Sequence, residues 1–168
     1  MYSFCETQNI LCENQYGFRP KHSIIDAVSK FSVYVKASLE SNLITLPVFL
    51  DLPKAFDTID HNNLLRKLHF YGDRGVDLEW FWNYLTNRFQ FVSYHHIHSA
   101  SHSVTCGVPQ RSVMGRLLFT IYTNDLPHAL THSKCILPAD DTTIYCTSQN
   151  PKELQRNTEN DMRALSDC

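Results

Sequence analysis

Two adjacent carboxylates set between short apolar runs constrain this chain more than any other stretch. Cys135-Ile136-Leu137 precedes them, Pro138-Ala139 leads in, and Asp140-Asp141 is followed by Thr142-Thr143-Ile144-Tyr145-Cys146. Apolar runs with a polar break predict a β-hairpin whose turn carries the acids. Like charges side by side repel, and a divalent cation is the usual reason for placing them so, because it reverses the local electrostatics. The plainer reading is an exposed acidic turn, since Asp is a common turn residue.

A second acid sits in a comparable place. Leu43 to Leu52 is nearly all apolar and predicts a buried strand with Pro47 near its start and Asp51 as its one charge. A charge at the end of a buried strand is costly unless it is paired or bound to a cation. Asp51 is therefore the natural third carboxylate beside Asp140 and Asp141. The plainer reading makes it a cap on the turn Pro53-Lys54-Ala55-Phe56.

Around these acids the pattern is mixed. The loop Gln15-Tyr16-Gly17-Phe18-Arg19-Pro20-Lys21 carries two cations, Arg19 and Lys21, that could face a phosphate backbone or simply solvent. Ser23 with Asp26 resembles a capping box opening a helix with Ile24, Ala27, Val28, Phe31, Val35 and Leu39 on one face. Asp60 or His61 caps a second helix that stops at Gly72. Asp77 caps a third, carrying Leu78, Phe81, Trp82, Leu85 and Phe89. Residues 91–94 and 103–106 predict a hairpin around His95, His96 and His98, with His102 further on. A histidine cluster can bind zinc or copper, but here the spacing fits no closed site and hairpin surface is the simpler reading. Met114 to Tyr122 predicts a fourth helix, ended by Asp125-Leu126-Pro127. Asn150 and Pro151 open a last one.

At 168 residues the chain is long enough for one domain with a real core, and no boundary can be drawn within it. Its net charge of −2 is a weak balance for holding nucleic acid unaided. Six cysteines without CxxC spacing read as reduced intracellular thiols. No long apolar run or signal segment points to a membrane or to secretion, so an intracellular location is expected.

Three blocks together carry a resemblance that none carries alone. The stretch from Val48 through Asp51, Phe56, Asp57 and Asp60 to His61 resembles the first palm motif of reverse transcriptases from non-LTR (LINE-type) retrotransposons. Gly107-Val108-Pro109-Gln110 through Phe119, with Ile121 to Pro127, resembles the second. Ala139-Asp140-Asp141-Thr142 resembles the third. Gln15 to Pro20 is similar to the block ahead of the palm, and Trp80 to Gln90 to the segment joining the first two motifs.

The resemblance implies an α+β fold, a palm-like antiparallel sheet with helices packed on one face, partial fingers and no thumb. Strands are expected near 43–51, 91–95, 103–106 and in a 135–146 hairpin. Residues 1–14 stand as an uninformative segment and 15–168 as a partial reverse transcriptase domain, a fingers remnant plus palm. It implies an RNA-directed DNA polymerase acting on an RNA template, a DNA primer and dNTPs. Asp51, Asp140 and Asp141 would be the catalytic acids and would hold two Mg²⁺ (or Mn²⁺) ions about 4 Å apart. Phe56 would be the aromatic gate against a ribose 2′-hydroxyl, with Gln110 and Arg19 also on the substrate side.

Four positions depart from the family. Arg111 stands where the family has Gly, Arg116 where it has Pro, Pro138 where it has an aromatic, and Pro53 where it has a small polar residue. With the apparent lack of fingers and thumb blocks, they lead to the expectation of a degenerate or truncated, pseudogene-like copy. The alternatives are a catalytically dead palm-fold module that binds RNA or a protein partner, and a marginally stable product without function.

Overall fold

The structure is a computed structural model that describes residues 2–52, 54–109, 112–139 and 141–166. In chain order the first elements are helix α1 (Tyr2–Thr7), helix α2 (Ile24–Glu40), strand β1 (Ile44–Leu50), helix α3 (His61–Phe70) and helix α4 (Val76–Leu85). Four short strands follow: β2 (Arg88–Gln90), β3 (Ser93–Tyr94), β4 (Ile97–His98) and β5 (His102–Val104). Then come helices α5 (Val113–Tyr122) and α6 (Leu126–Ala129), strands β6 (Lys134–Ile136) and β7 (Thr142–Ser148), and helix α7 (Pro151–Ser166). The chain is thus a mixture of helices and antiparallel sheet, and it forms two compact units, Met1–Pro53 with Thr123–Cys168, and Lys54–Tyr122.

The first unit is built on a three-stranded antiparallel sheet in the order β1-β7-β6. The expected strand near 43–51 and the 135–146 hairpin are both present. Helix α2 begins as its sequence demands: Ser23 Oγ accepts from the Asp26 amide at 3.1 Å and the Asp26 carboxylate accepts from the Ser23 amide at 3.0 Å. Its packed face differs from the expected one. Ala27, Phe31 and Tyr34 lie against Ile136 and Tyr145, whereas Ile24, Val28 and Leu39 are exposed. Tyr34 wins its place because its hydroxyl bonds Thr147 Oγ1 at 2.9 Å while its ring meets Tyr145 edge-on at 4.7 Å. Each fully buried side chain of this kind contributes roughly 1.5–3 kcal/mol.

Residues of both alternations of β7 are buried, Ile144 and Cys146 as well as Tyr145. The central strand is therefore covered on both sides, where helices on one face were expected. Helix α7 packs along β7, with Asn150 Oδ1 accepting from the Lys152 amide at its start. The buried Asp161 of α7 accepts from three successive amides, Thr131 at 2.9 Å, His132 at 3.1 Å and Ser133 at 2.6 Å.

The second unit gathers α3, α4 and α5 around Leu64, Leu68, Phe81, Leu85, Leu117 and Leu118. Asp60 caps α3 through the Asn63 amide at 2.7 Å, which decides between Asp60 and His61. Gly75, not Asp77, is the N-cap of α4. Asp77 lies inside the first turn, where a carboxylate complements the helix dipole. The strands expected at 91–95 and 103–106 do not extend the main sheet. Among the described residues β2 pairs with β5, and β3 with β4, as two separate two-stranded ribbons. Asp125-Leu126-Pro127 does not end a helix but opens the short α6.

Candidate active site

The ladder between β1 and β7 runs from Ile44 opposite Ser148 to Leu50 opposite Thr142. Asp51 is the residue after Leu50 and Asp141 the residue before Thr142, so each acid stands one residue past the last pair of the ladder. Both are exposed, and among the described residues neither makes a hydrogen bond or an ion pair. Two unpartnered carboxylates on neighbouring strand ends suit a hard, oxygen-seeking cation. Asp140 lies outside the described residues. Among the described residues no group of three or more His, Cys, Asp or Glu side chains is arranged to hold a metal.

The strand leading to these acids is clamped by the loop 14–19. Leu137 N–H donates to Asn14 O at 2.9 Å, and the amides of Tyr16 and Gly17 both donate to Leu137 O, at 2.8 and 3.1 Å. Gly17 then lies flat on the next residues. A Cβ there would overlap Pro138 O and stand 2.4–2.6 Å from Ala139 Cα and Pro138 C. Pro138 itself sits beyond the last ladder residue, Ile136. It therefore removes no ladder hydrogen bond, contrary to the cost its ring suggests in a strand.

Arg19 completes this clamp. Its guanidinium is paired side-on with Glu6, Nε to Oε1 at 2.9 Å and Nη2 to Oε2 at 2.8 Å, and Nη1 donates to Cys12 O at 2.8 Å. The hydrogen bond to Arg19 holds the Glu6 carboxyl below its ordinary value, and Glu6 in turn raises Arg19. The same loop is tied at Cys12, whose amide donates to Asn124 Oδ1 at 2.7 Å. Cys135 of β6 is buried, and desolvation pushes its thiol up to about 12, so it is an inert neutral group.

In the second unit the turn after Lys54 is zipped to the segment before α5. Val108 N–H donates to Phe56 O and Gly107 N–H to Ile59 O, both at 2.8 Å, and the buried His61 Nε2 donates to Gly107 O at 2.8 Å. Gly107 has φ +81°, and a Cβ there would stand 2.7 Å from Asp57 Cα. Phe56 is half-buried, its ring stacked on Phe119 with centroids 4.6 Å apart. Ser112 joins the start of α5 to α4: its Oγ accepts from Gly115 N–H and from Tyr84 O–H, both at 2.9 Å, and donates to Pro109 O at 2.7 Å. Gln110 and Arg111 lie outside the described residues, as does Pro53.

A cleft of about 560 Å³ within this unit is lined by Lys54, Asp57, Arg88, Gln90 and the segment 103–109. Arg88 Nη1 is buried and, among the described residues, has no hydrogen-bond partner. The roles of Gly17, Gly107, His61 and Ser112 escape a reading by residue chemistry, because glycines and small polar residues announce no reaction. The one available signal was that two of them are glycines inside the motif blocks. The histidines His95, His96 and His98 lie exposed along a hairpin, with φ +43° at His95 and +66° at His96 making its turn.

A family model described as "Reverse transcriptase (RNA-dependent DNA polymerase)" matches residues 2–167. Three relatives come from Drosophila melanogaster. A "Probable RNA-directed DNA polymerase from transposon BS" is 28% identical over 95% of this chain and 18% of its own length. A "Probable RNA-directed DNA polymerase from transposon X-element" is 32% identical over 74% of this chain and 14% of its own length. An "RNA-directed DNA polymerase from mobile element jockey" is 28% identical over 67% of this chain and 12% of its own length. The chain thus spans less than a fifth of the length of each of these curated relatives.

Proposed function

The chain belongs to the reverse transcriptase family, and on that premise we propose that it is an RNA-directed DNA polymerase module whose palm is the β1-β7-β6 sheet. The observation that carries this is the register of β1 on β7, which sets Asp51 and Asp141 one step past its last pair. With Asp140 they would hold two divalent cations. When bound, such cations polarise the attacking and leaving oxygens of nucleotidyl transfer.

The chain's own residues supply position and charge. The primer 3′-hydroxyl attacks the α-phosphate of a dNTP and pyrophosphate leaves. Asp51 and Asp141 bring negative charge to the strand ends, and the 14–19 clamp fixes the strand that carries the Asp pair. Phe56, held by Phe119, is a rigid wall against a ribose 2′-hydroxyl. Gln110 is assigned to the nucleotide and template side. Arg19 serves by fixing the loop through Glu6 and Cys12, not by touching substrate. The cleft with Lys54 and Arg88 suits a phosphate-bearing ligand.

Arg111, where the family has Gly, favours a second reading: a palm fold that still binds RNA but transfers nucleotides weakly or not at all. A Gly there lets backbone approach substrate closely, and a long cation does not. Primer extension on an RNA template with dNTPs and Mg²⁺ or Mn²⁺ separates the two. Extension that is lost in Asp51→Asn and in Asp141→Asn supports a working polymerase. Extension indifferent to both substitutions would sink the assignment. Extension gained only in Arg111→Gly supports the second reading.

A further inference from the structure

Residues 88–104 form the two small ribbons, and their apolar side chains face outward. Phe89, Phe91, Val92, Tyr94 and Ile97 are 57–73% exposed. This is not a slack loop. Val92 N–H donates to Ser99 Oγ and Ser99 N–H to Val92 O, both at 2.9 Å, which joins one ribbon to the other. Phe91 meets His98 edge-on at 5.0 Å, and Tyr94 meets His95 at 4.4 Å. The rings are held in place while their surface stays open.

The charge of the stretch points to its occupant. The chain as a whole carries −2, yet residues 88–104 contain no Asp or Glu, and they hold Arg88, four histidines and four serines. Ordered rings interleaved with hydrogen-bond donors, and free of acid, suit unpaired bases stacking on them and a phosphate backbone running alongside. A protein partner needs the apolar surface but not the absence of acids. We infer that this ribbon is a binding surface for single-stranded nucleic acid. The inference rests on the nucleic-acid reading above, and it assigns binding to side chains other than the carboxylates.

The test is fluorescence anisotropy of a labelled single-stranded oligouridylate with the full chain. Phe91→Ala/Tyr94→Ala removes two exposed rings and is expected to weaken binding by about tenfold or more. Ser93→Glu/Ser101→Glu keeps the rings and adds repulsion. It is expected to weaken binding at low salt, with the difference fading as salt rises. Both pairs are exposed, so circular dichroism melting curves should stay where they are. Asp141→Asn should leave binding intact, which separates this inference from the polymerase assignment. No binding by the native chain, affinity unchanged in both ribbon variants, or an effect of those variants on self-association alone would overturn it.

Discussion

Gly17 and Gly107 each press one stretch of backbone against another, but by different means. In the first unit Gly17 lies on Pro138 and Ala139 with an ordinary backbone conformation, so only space demands a glycine there. In the second unit Gly107 lies on Asp57 and also has φ +81°, a conformation that side chains resist. Both glycines are held through their own amide and carbonyl: Gly17 donates to Leu137 O and accepts from the neighbouring Gln15 Nε2, whereas Gly107 donates to Ile59 O and accepts from the distant His61 Nε2. Each clamp fixes a segment bearing family motif residues. The lesson is that a motif glycine can serve by contact alone or by contact and conformation together, and the two kinds differ in what a methyl group does.

Gly107→Ala should therefore have the largest effect. The left-handed conformation costs about 1–2 kcal/mol. Relieving the overlap with Asp57 also weakens two hydrogen bonds, at about 1 kcal/mol each. A loss of about 4 kcal/mol in denaturant unfolding is expected. Amide protection should fall first at 54–61 and 106–109. Gly17→Ala adds no conformational strain and should cost less, about 3 kcal/mol, from displacing the bonds to Leu137 O and the overlap with Pro138. Its protection loss should centre on 14–17 and 137. Equal costs, or the same protection map for both variants, would break the comparison.

Acid sharpens it from another side. The Asp161 carboxylate is buried, which alone would raise it, but hydrogen bonds from Ser133, Thr131 and His132 outweigh burial and hold it below its ordinary value. A lowered carboxyl stabilises the fold above the unfolded range, about pH 4, and loses that contribution as pH falls through its lower folded value. Stability should decline below about pH 4, with the 131–133 loop losing protection early. Asp161→Asn should cost about 2 kcal/mol at neutral pH and flatten part of that acid limb. An acid limb unchanged in the variant would assign it elsewhere, Glu6 being the other lowered carboxyl among the described residues.

Local signals made much of this legible. Ser23 with Asp26, Asp60, and Asn150 with Pro151 marked helix starts because caps act within a few residues. The placement of Asp51 and Asp141 at strand ends followed from apolar runs broken by acid. What stayed hidden depended on partners far along the chain. Ile24 and Val28 fit the apolar period and are exposed nonetheless. A hairpin was legible at 91–94 and 103–106, but its division into two ribbons was not, because each strand is two or three residues long, too short for alternation to register, and the turn uses His95-His96 where Asn-Gly is the recognisable signal. Asp161 of α7 has no local sequence signal that marks it as buried. Only the return of residues 131–133 gives it three donors.

Arg19→Lys is the smallest change and the one that tests how the first clamp is built. Lysine keeps the charge but loses the planar fork that binds both Glu6 oxygens while reaching Cys12 O. Arg19 is mostly covered, its side chain 10% exposed, so the loss is more than a surface pair would give, about 1 kcal/mol. Affinity for single-stranded RNA should stay as it was if Arg19 acts only on the loop, since the charge is retained and the ribbon is untouched. Glu6→Gln should give a loss of the same kind, and the double variant little more than either alone, because both substitutions break one pairing. Weakened RNA binding at unchanged stability would instead return Arg19 to the substrate side. The clamp would then rest on Gly17 and Leu137 without it, and Gly17→Ala would be left as its only sensitive position.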